Sequence, residues 1–194
     1  MNTKRLSLII IFIALTTALS IAGPKIPAPY APFLFYQVWE IPIVIAFLAL
    51  GPKAGITIAV INTLILIAIF PGALLLGPVY NLIAVLSMLL GVYVPYKIAT
   101  HGCKIENLNN FLRQHIKMIS ISATALGITV RVLVTTVTNY FFLQQPSPIG
   151  FSYKPEAALA FLPLSAFFNA TVAIYTIPVA LAVTVAITSR FKLQ

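Results

Sequence analysis

The residues able to do covalent chemistry in this chain are few. It contains no Asp, and its acids are Glu40, Glu106 and Glu156. His101 and His115 are the histidines, and Cys103 is the single cysteine. Catalysis needs convergent titratable groups, and little here can converge. No serine elbow, metal-binding histidine pair or Asp-rich prenyltransferase motif is present. No catalytic residue is assigned, and the expectation is that the chain is not an enzyme. One cysteine rules out an internal disulfide. His101, Cys103 and His115 fall in one predicted loop, but their spacing matches no common zinc site, so neither metal nor cofactor is expected. Gly51-Pro52-Lys53-Ala54-Gly55 reads as a tight turn, since the Gly-Lys-Ser/Thr ending of a phosphate-binding loop is missing.

Binding is the chemistry left. Asn62, Thr63, Asn81, Arg131, Asn139 and Asn169 lie within long apolar runs. A polar side chain in such a run is costly and is a functional candidate by default. Asn81, Arg131, Asn139 and Asn169 fall where three helices could enclose an outward-opening pocket. An amide both donates and accepts, which suits a neutral polar ligand. The competing reading is interhelical glue. It is preferred for Asn62 and Thr63, and ligand contact is preferred for Asn139 and Asn169. Arg131 could hold an anionic group or cap backbone carbonyls, and its residue type does not separate the two.

Composition says what must position these groups. Of 194 residues, 60% are hydrophobic and 8% charged, against roughly 25% charged in a soluble domain. So few charges cannot cover a water-exposed surface, so most of the solvent is lipid. Long apolar runs without strict alternation predict helices rather than a barrel. Six are expected, at about 6–22, 41–50, 54–70, 78–99, 116–143 and 155–188, in one integral membrane domain covering 1–194. The first could instead be a secretory signal ending at Ser20-Ile21-Ala22, but its length favours a retained helix. Pro95 is expected to kink the fourth helix near its end, and Pro163 or Pro178 to bend the sixth. Residues 97–117 read as the longest polar loop. Residues 24–40 hold Pro24, Pro27, Pro29 and Pro32 among Tyr30, Phe33, Phe35, Tyr36 and Trp39. Prolines exclude regular helix there, and aromatics favour the headgroup level, so an interfacial cap is expected. Residues 144–155, with Phe151 and Tyr153, form a second such loop.

Twelve Lys/Arg stand against three acids. With no basic face or aromatic RNA-binding motif, the excess argues for membrane orientation rather than nucleic acid. With the N-terminus in the cytoplasm, the inner loops and tails hold Lys4, Arg5, Lys53, Lys97, Lys104, Arg113, Lys117, Arg190 and Lys192, while the outer loops hold Lys25 and Lys154. Both termini are then cytoplasmic, and both aromatic loops cap the outer face of a multi-pass protein of the cell membrane. Ala14, Ala18 and Ala22 recur every four residues on the first helix, a spacing that lets another helix approach closely.

Four ordered segments carry a family resemblance. They are the Ala14/Ala18 stripe; Phe33-Leu34-Phe35-Tyr36-Gln37-Val38-Trp39-Glu40-Ile41-Pro42 with Gly51-Pro52-Lys53-Ala54-Gly55; Thr138-Asn139-Tyr140-Phe141-Phe142-Leu143; and Leu162-Pro163-Leu164 with Phe168-Asn169. The chain resembles the S components of energy-coupling factor (ECF) vitamin transporters, most closely the riboflavin type. The resemblance implies a six-helix bundle whose outer loops close over a vitamin, with Asn139 and Asn169 hydrogen-bonding it. Together with the residues singled out above, the expected substrate-binding set is Trp39, Glu40, Asn81, Arg131, Asn139, Tyr140 and Asn169, and the resemblance implies the Ala14/Ala18 stripe, with Ala22, as the surface for a transmembrane coupling subunit. Two ABC ATPases would supply the energy, since this chain has no nucleotide site. The sequence departs from the riboflavin type at Val172 (a lysine there), at Asn62-Thr63 (a Lys-Asn pair), and at Gln37 and Trp39 (acidic residues). Other readings are an S component for another small polar molecule, a structural membrane protein without ligand, and a secondary transporter. The last lacks an evident coupling-ion site.

Overall fold

The computed structural model describes residues 3–69, 74–101 and 105–190. Phe70, the helix-ending Pro71-Gly72 pair, Cys103, Lys104 and Lys192 lie outside them. Six α-helices and one β-hairpin appear among the described residues: α1 (Thr3–Ala22), β1 (Ile26–Ala28), β2 (Ala31–Tyr36), α2 (Glu40–Leu50), α3 (Pro52–Ile69), α4 (Gly77–Thr100), α5 (Ile105–Leu143) and α6 (Pro155–Arg190). The chain is an all-α membrane bundle, as its composition predicts. Helices α1, α3, α4, α6 and the Gln114–Leu143 part of α5 are each long and apolar enough to cross a bilayer.

Helix α2 is different. Eleven residues at about 1.5 Å each rise far less than a hydrocarbon core of about 30 Å. Yet every residue of α2 except Ile41 is buried. It is the centre of the bundle, hydrophobic all round because protein surrounds it all round. Ile43, Val44 and Phe47 meet Val85, Met88 and Leu89 of α4 and Ile177 and Leu181 of α6 in one core. At its far end the Arg5 guanidinium donates to the Leu50 carbonyl at 2.6 Å, capping a helix C-terminus with a cation. Gly51 then turns the chain at φ 97°, a left-handed value that glycine adopts without strain. Pro52 opens α3, where its missing N–H costs nothing.

Helices α4 and α5 touch at two glycines. A Cβ on Gly91 would sit 2.6 Å from the Leu126 carbonyl oxygen and 2.7 Å from the Gly127 Cα. No side chain fits between them, so the backbones meet directly. Between α1 and α3 the glue is polar: Asn62 Oδ1 accepts hydrogen bonds from Thr17 at 3.1 Å and Ser20 at 3.4 Å. Thr63 spends its hydroxyl on Ala59 of its own helix.

Two expectations change. The polar loop at 97–117 is mostly helix: α4 runs through Pro95 to Thr100, and α5 begins at Ile105. The charges there end the apolar span, not the helix. Phe111, His115, Ile116 and Ile119 keep helical spacing beyond the apolar span, and Phe111 and Ile116 pack against the core. At 39 residues α5 is about 58 Å long, roughly twice the hydrocarbon thickness. His115 sits on this helix, stacked on Phe111 and bonded to its carbonyl at 3.1 Å. The proline-rich segment 24–40 is a β-hairpin, with Ile26 opposite Tyr36 and Pro27 opposite Phe35. A two-stranded sheet is all edge, so Pro27 and Pro32 are tolerated in it.

Candidate substrate-binding site

The end of the bundle that bears the hairpin contains a cavity of about 460 Å³, within the range of small-molecule sites. Each wall is a helical stripe. Gly77, Tyr80, Asn81 and Ala84 face it from α4, and Arg131, Thr135, Asn139, Phe142 and Leu143 from α5. From α6 come Phe161, Ser165, Phe168, Asn169, Val172 and Tyr175. Spacings of three and four residues put each set on one face. Phe33, Leu34, Phe35, Gln37 and Trp39 roof it from the hairpin and its exit, and Glu40 enters from the first turn of α2.

The deepest polar feature is an ion pair. Arg131 Nη2 donates to Glu40 Oε1 at 2.9 Å and Arg131 Nη1 to Glu40 Oε2 at 2.5 Å. Arg131 Nε donates to Asn169 Oδ1 at 2.9 Å. Arg131 is 3% and Glu40 5% exposed. An isolated charge at this depth is costly, and a bidentate partner offsets that cost. Arg131 therefore neither caps carbonyls nor stands free for an anion. It ties α2 to α5 and α6.

The two candidate asparagines on α5 and α6 are not equivalent. Asn169 accepts from Arg131 and gives Nδ2 to the Ser165 carbonyl at 2.9 Å, so both amide ends are engaged. Asn139 gives Nδ2 to Ser165 Oγ at 2.5 Å and is only half-buried. Asn81 is exposed on the α4 wall. Tyr140 does not line the cavity. One residue of helix turns a side chain by about 100°, so next to Asn139 its ring points away and packs edge-on against Phe141. Trp39, Glu40, Asn81, Arg131, Asn139 and Asn169 all reach the cavity.

Aromatic contacts fasten the roof. Tyr36 stacks on Phe168 at 5.0 Å between centroids, and Phe33 packs on Phe161 at 5.7 Å. Tyr175 donates to the Gln37 carbonyl at 2.6 Å. Tyr30 and Tyr36 share a hydroxyl–hydroxyl bond of 2.5 Å. Desolvation, then that bond and the Tyr36 charge, push the Tyr30 phenol above its ordinary value. The α5–α6 loop folds back on α5: the Leu143 carbonyl accepts from Phe151 N at 3.2 Å and Tyr153 N at 3.0 Å. This satisfies an orphan carbonyl at the helix end and brings Phe151 and Tyr153 to the rim. The Tyr80 hydroxyl donates to Ile149 and holds the loop over α4. Tyr80, Ser165, Phe168 and Tyr175 escape a search for polar groups in apolar runs. Their signal is phase, since each lies three or four residues from another lining residue.

Away from the cavity, Ala14, Ala18 and Ala22 are all exposed along α1.

No protein-family model matches the chain, and no curated protein matches it. A solved structure does: the S component of a bacterial ECF transporter, with 22% identity and a TM-score of 0.63, over 98% of this chain and 96% of that one. At that identity the likeness concerns the fold, and the chain shares the S-component fold from end to end.

Proposed function

We propose that this chain is the substrate-binding S component of an ECF-type importer in the cell membrane. It captures a vitamin at the outer face and passes it inward with a coupling subunit and two ABC ATPases. The observation that carries this reading is the aromatic-roofed cavity of about 460 Å³. It lies at the end opposite Arg5 and Lys53, in a fold shared with such a component. The basic end is cytoplasmic by the positive-inside rule. The exposed Ala14, Ala18 and Ala22 stripe is the docking surface for the coupling subunit.

Riboflavin is the ligand that best fits the lining. Its flat tricycle suits the rings of Trp39, Phe168 and Tyr175, and its polyol suits the amides of Asn81 and Asn139. Val172, which lines the cavity where the riboflavin type has a lysine, and Gln37 favour a second reading: another vitamin in the same site. Mass spectrometry of the molecule released from purified protein tests both. Protein from a riboflavin-fed host is expected to be yellow, with quenched flavin fluorescence. A colourless protein that binds no flavin by calorimetry ends the riboflavin assignment, and one that carries no small molecule and binds none ends the S-component reading.

A further inference from the structure

The Glu40–Arg131 pair bears on the charge of the ligand, an inference that rests on the binding-subunit reading and deepens it. Ten of the lining side chains are aromatic, and among the described lining residues only Glu40 and Arg131 are charged. Residues 70–73, next to the lining residue Leu74, are Phe-Pro-Gly-Ala and add no charge. Both carboxylate oxygens of Glu40 and all three nitrogens of Arg131 have protein partners, so the pair is closed on itself and almost fully buried. The remaining polar lining groups, including the amides of Asn81, Asn139 and Gln37, are neutral. Lys25 and Lys154 are exposed and outside the lining, where salt screens them.

An anion entering this cavity finds no free cation among the described lining residues. To reach Arg131 it must displace Glu40 and leave that carboxylate buried and unpaired, and a cation meets the mirror-image obstacle. We propose that the site selects an uncharged aromatic heterocycle and rejects its phosphorylated, carboxylated or cationic counterparts. Glu40 is the specificity-determining residue, because its carboxylate keeps the guanidinium from serving as an anion site. The aromatic lining supplies affinity without charge, and the neutral amides supply orientation.

The test uses the full chain in detergent or nanodiscs and titrates ligands in matched pairs that differ by a charged group. The pairs are riboflavin and riboflavin 5′-phosphate, pyridoxine and its phosphate, and nicotinamide and nicotinate; thiamine serves as the cation. In whichever pair binds, the neutral member is expected to bind at least about tenfold more tightly, a gap of about 1.4 kcal/mol. Thiamine is expected not to bind. Glu40→Gln keeps an acceptor for Arg131 but removes the charge, and is expected to shrink the neutral-to-anionic preference at least about tenfold. A charged member that binds wild-type protein as tightly as its neutral partner, or tight binding of thiamine, overturns the inference and leaves the binding-subunit reading standing. Binding of nothing, with no co-purifying molecule, overturns both. An unchanged preference in folded Glu40→Gln removes the role of Glu40. If that variant does not fold, the wild-type pairs decide the ligand class alone.

Discussion

Glu40 and Arg131 lie 91 residues apart in sequence and meet through two parallel hydrogen bonds beneath the cavity. One stands at the first turn of a short buried helix, the other inside a 39-residue one. Their contact makes α2 part of the cavity lining rather than mere filling.

Breaking that contact from one side is expected to be costly. Arg131→Met leaves a buried carboxylate without a partner, a situation that costs about 3–5 kcal/mol. Glu40→Leu together with Arg131→Met removes both charges and is expected to recover most of that loss. Thermal unfolding of the single and double variants in one detergent checks this, and a double variant no better than Arg131→Met would contradict it.

Asn139 and Asn169 are expected to separate when each becomes Ala. Asn169 orients Arg131 through its Oδ1. Asn169→Ala therefore strands a buried charged donor, costing about 1.5–3 kcal/mol of stability. Asn139 is less buried and less engaged, so Asn139→Ala is expected to weaken ligand binding about five- to tenfold, the worth of roughly one hydrogen bond, with little change in melting temperature. Equal loss of stability in both variants would show that both are packing residues. Calorimetry and a thermal shift on each variant give the two readouts.

Gly91 is expected to tolerate no side chain. A methyl group there meets Leu126 and Gly127 backbone atoms closer than 3 Å, so Gly91→Ala forces α4 and α5 apart. Overpacking of this kind costs about 1–3 kcal/mol. Since α4 and α5 also form two cavity walls, ligand affinity falls with stability. Replacement with unchanged melting temperature would mean that the helices slide freely.

Ala14→Leu and Ala18→Leu are expected to leave ligand affinity and stability unchanged and to abolish co-purification with a coupling subunit. Both positions are exposed and outside the cavity lining. A large side chain prevents close helix approach without disturbing the fold. Retained co-purification would place the docking surface elsewhere.

Much of this protein is local and therefore legible in its residues. The apolar runs, breaks near Gly23-Pro24 and Gly51-Pro52, and charge asymmetry located the helices and the pocket end. Each depends on transfer between water and lipid along a short stretch. Asn81, Asn139 and Asn169, singled out in those runs because polar groups need a use in hydrocarbon, each line the cavity from a different helix, whereas Asn62 joins α1 to α3. Tertiary structure decided the rest. Helix phase, not neighbourhood, separated Asn139 from Tyr140. Burial by other helices let the eleven residues of α2 stay in the bundle without facing lipid across its thickness. A polar segment emerging into water stayed helical because its inner face still had a core to cover. The partner of Arg131 depended on two helices meeting in three dimensions, and no spacing along the chain encodes that contact. The sequence by itself determined a membrane bundle with polar groups set in its apolar runs; only the packing of α2 against α5 and α6 paired Glu40 with Arg131 at the cavity.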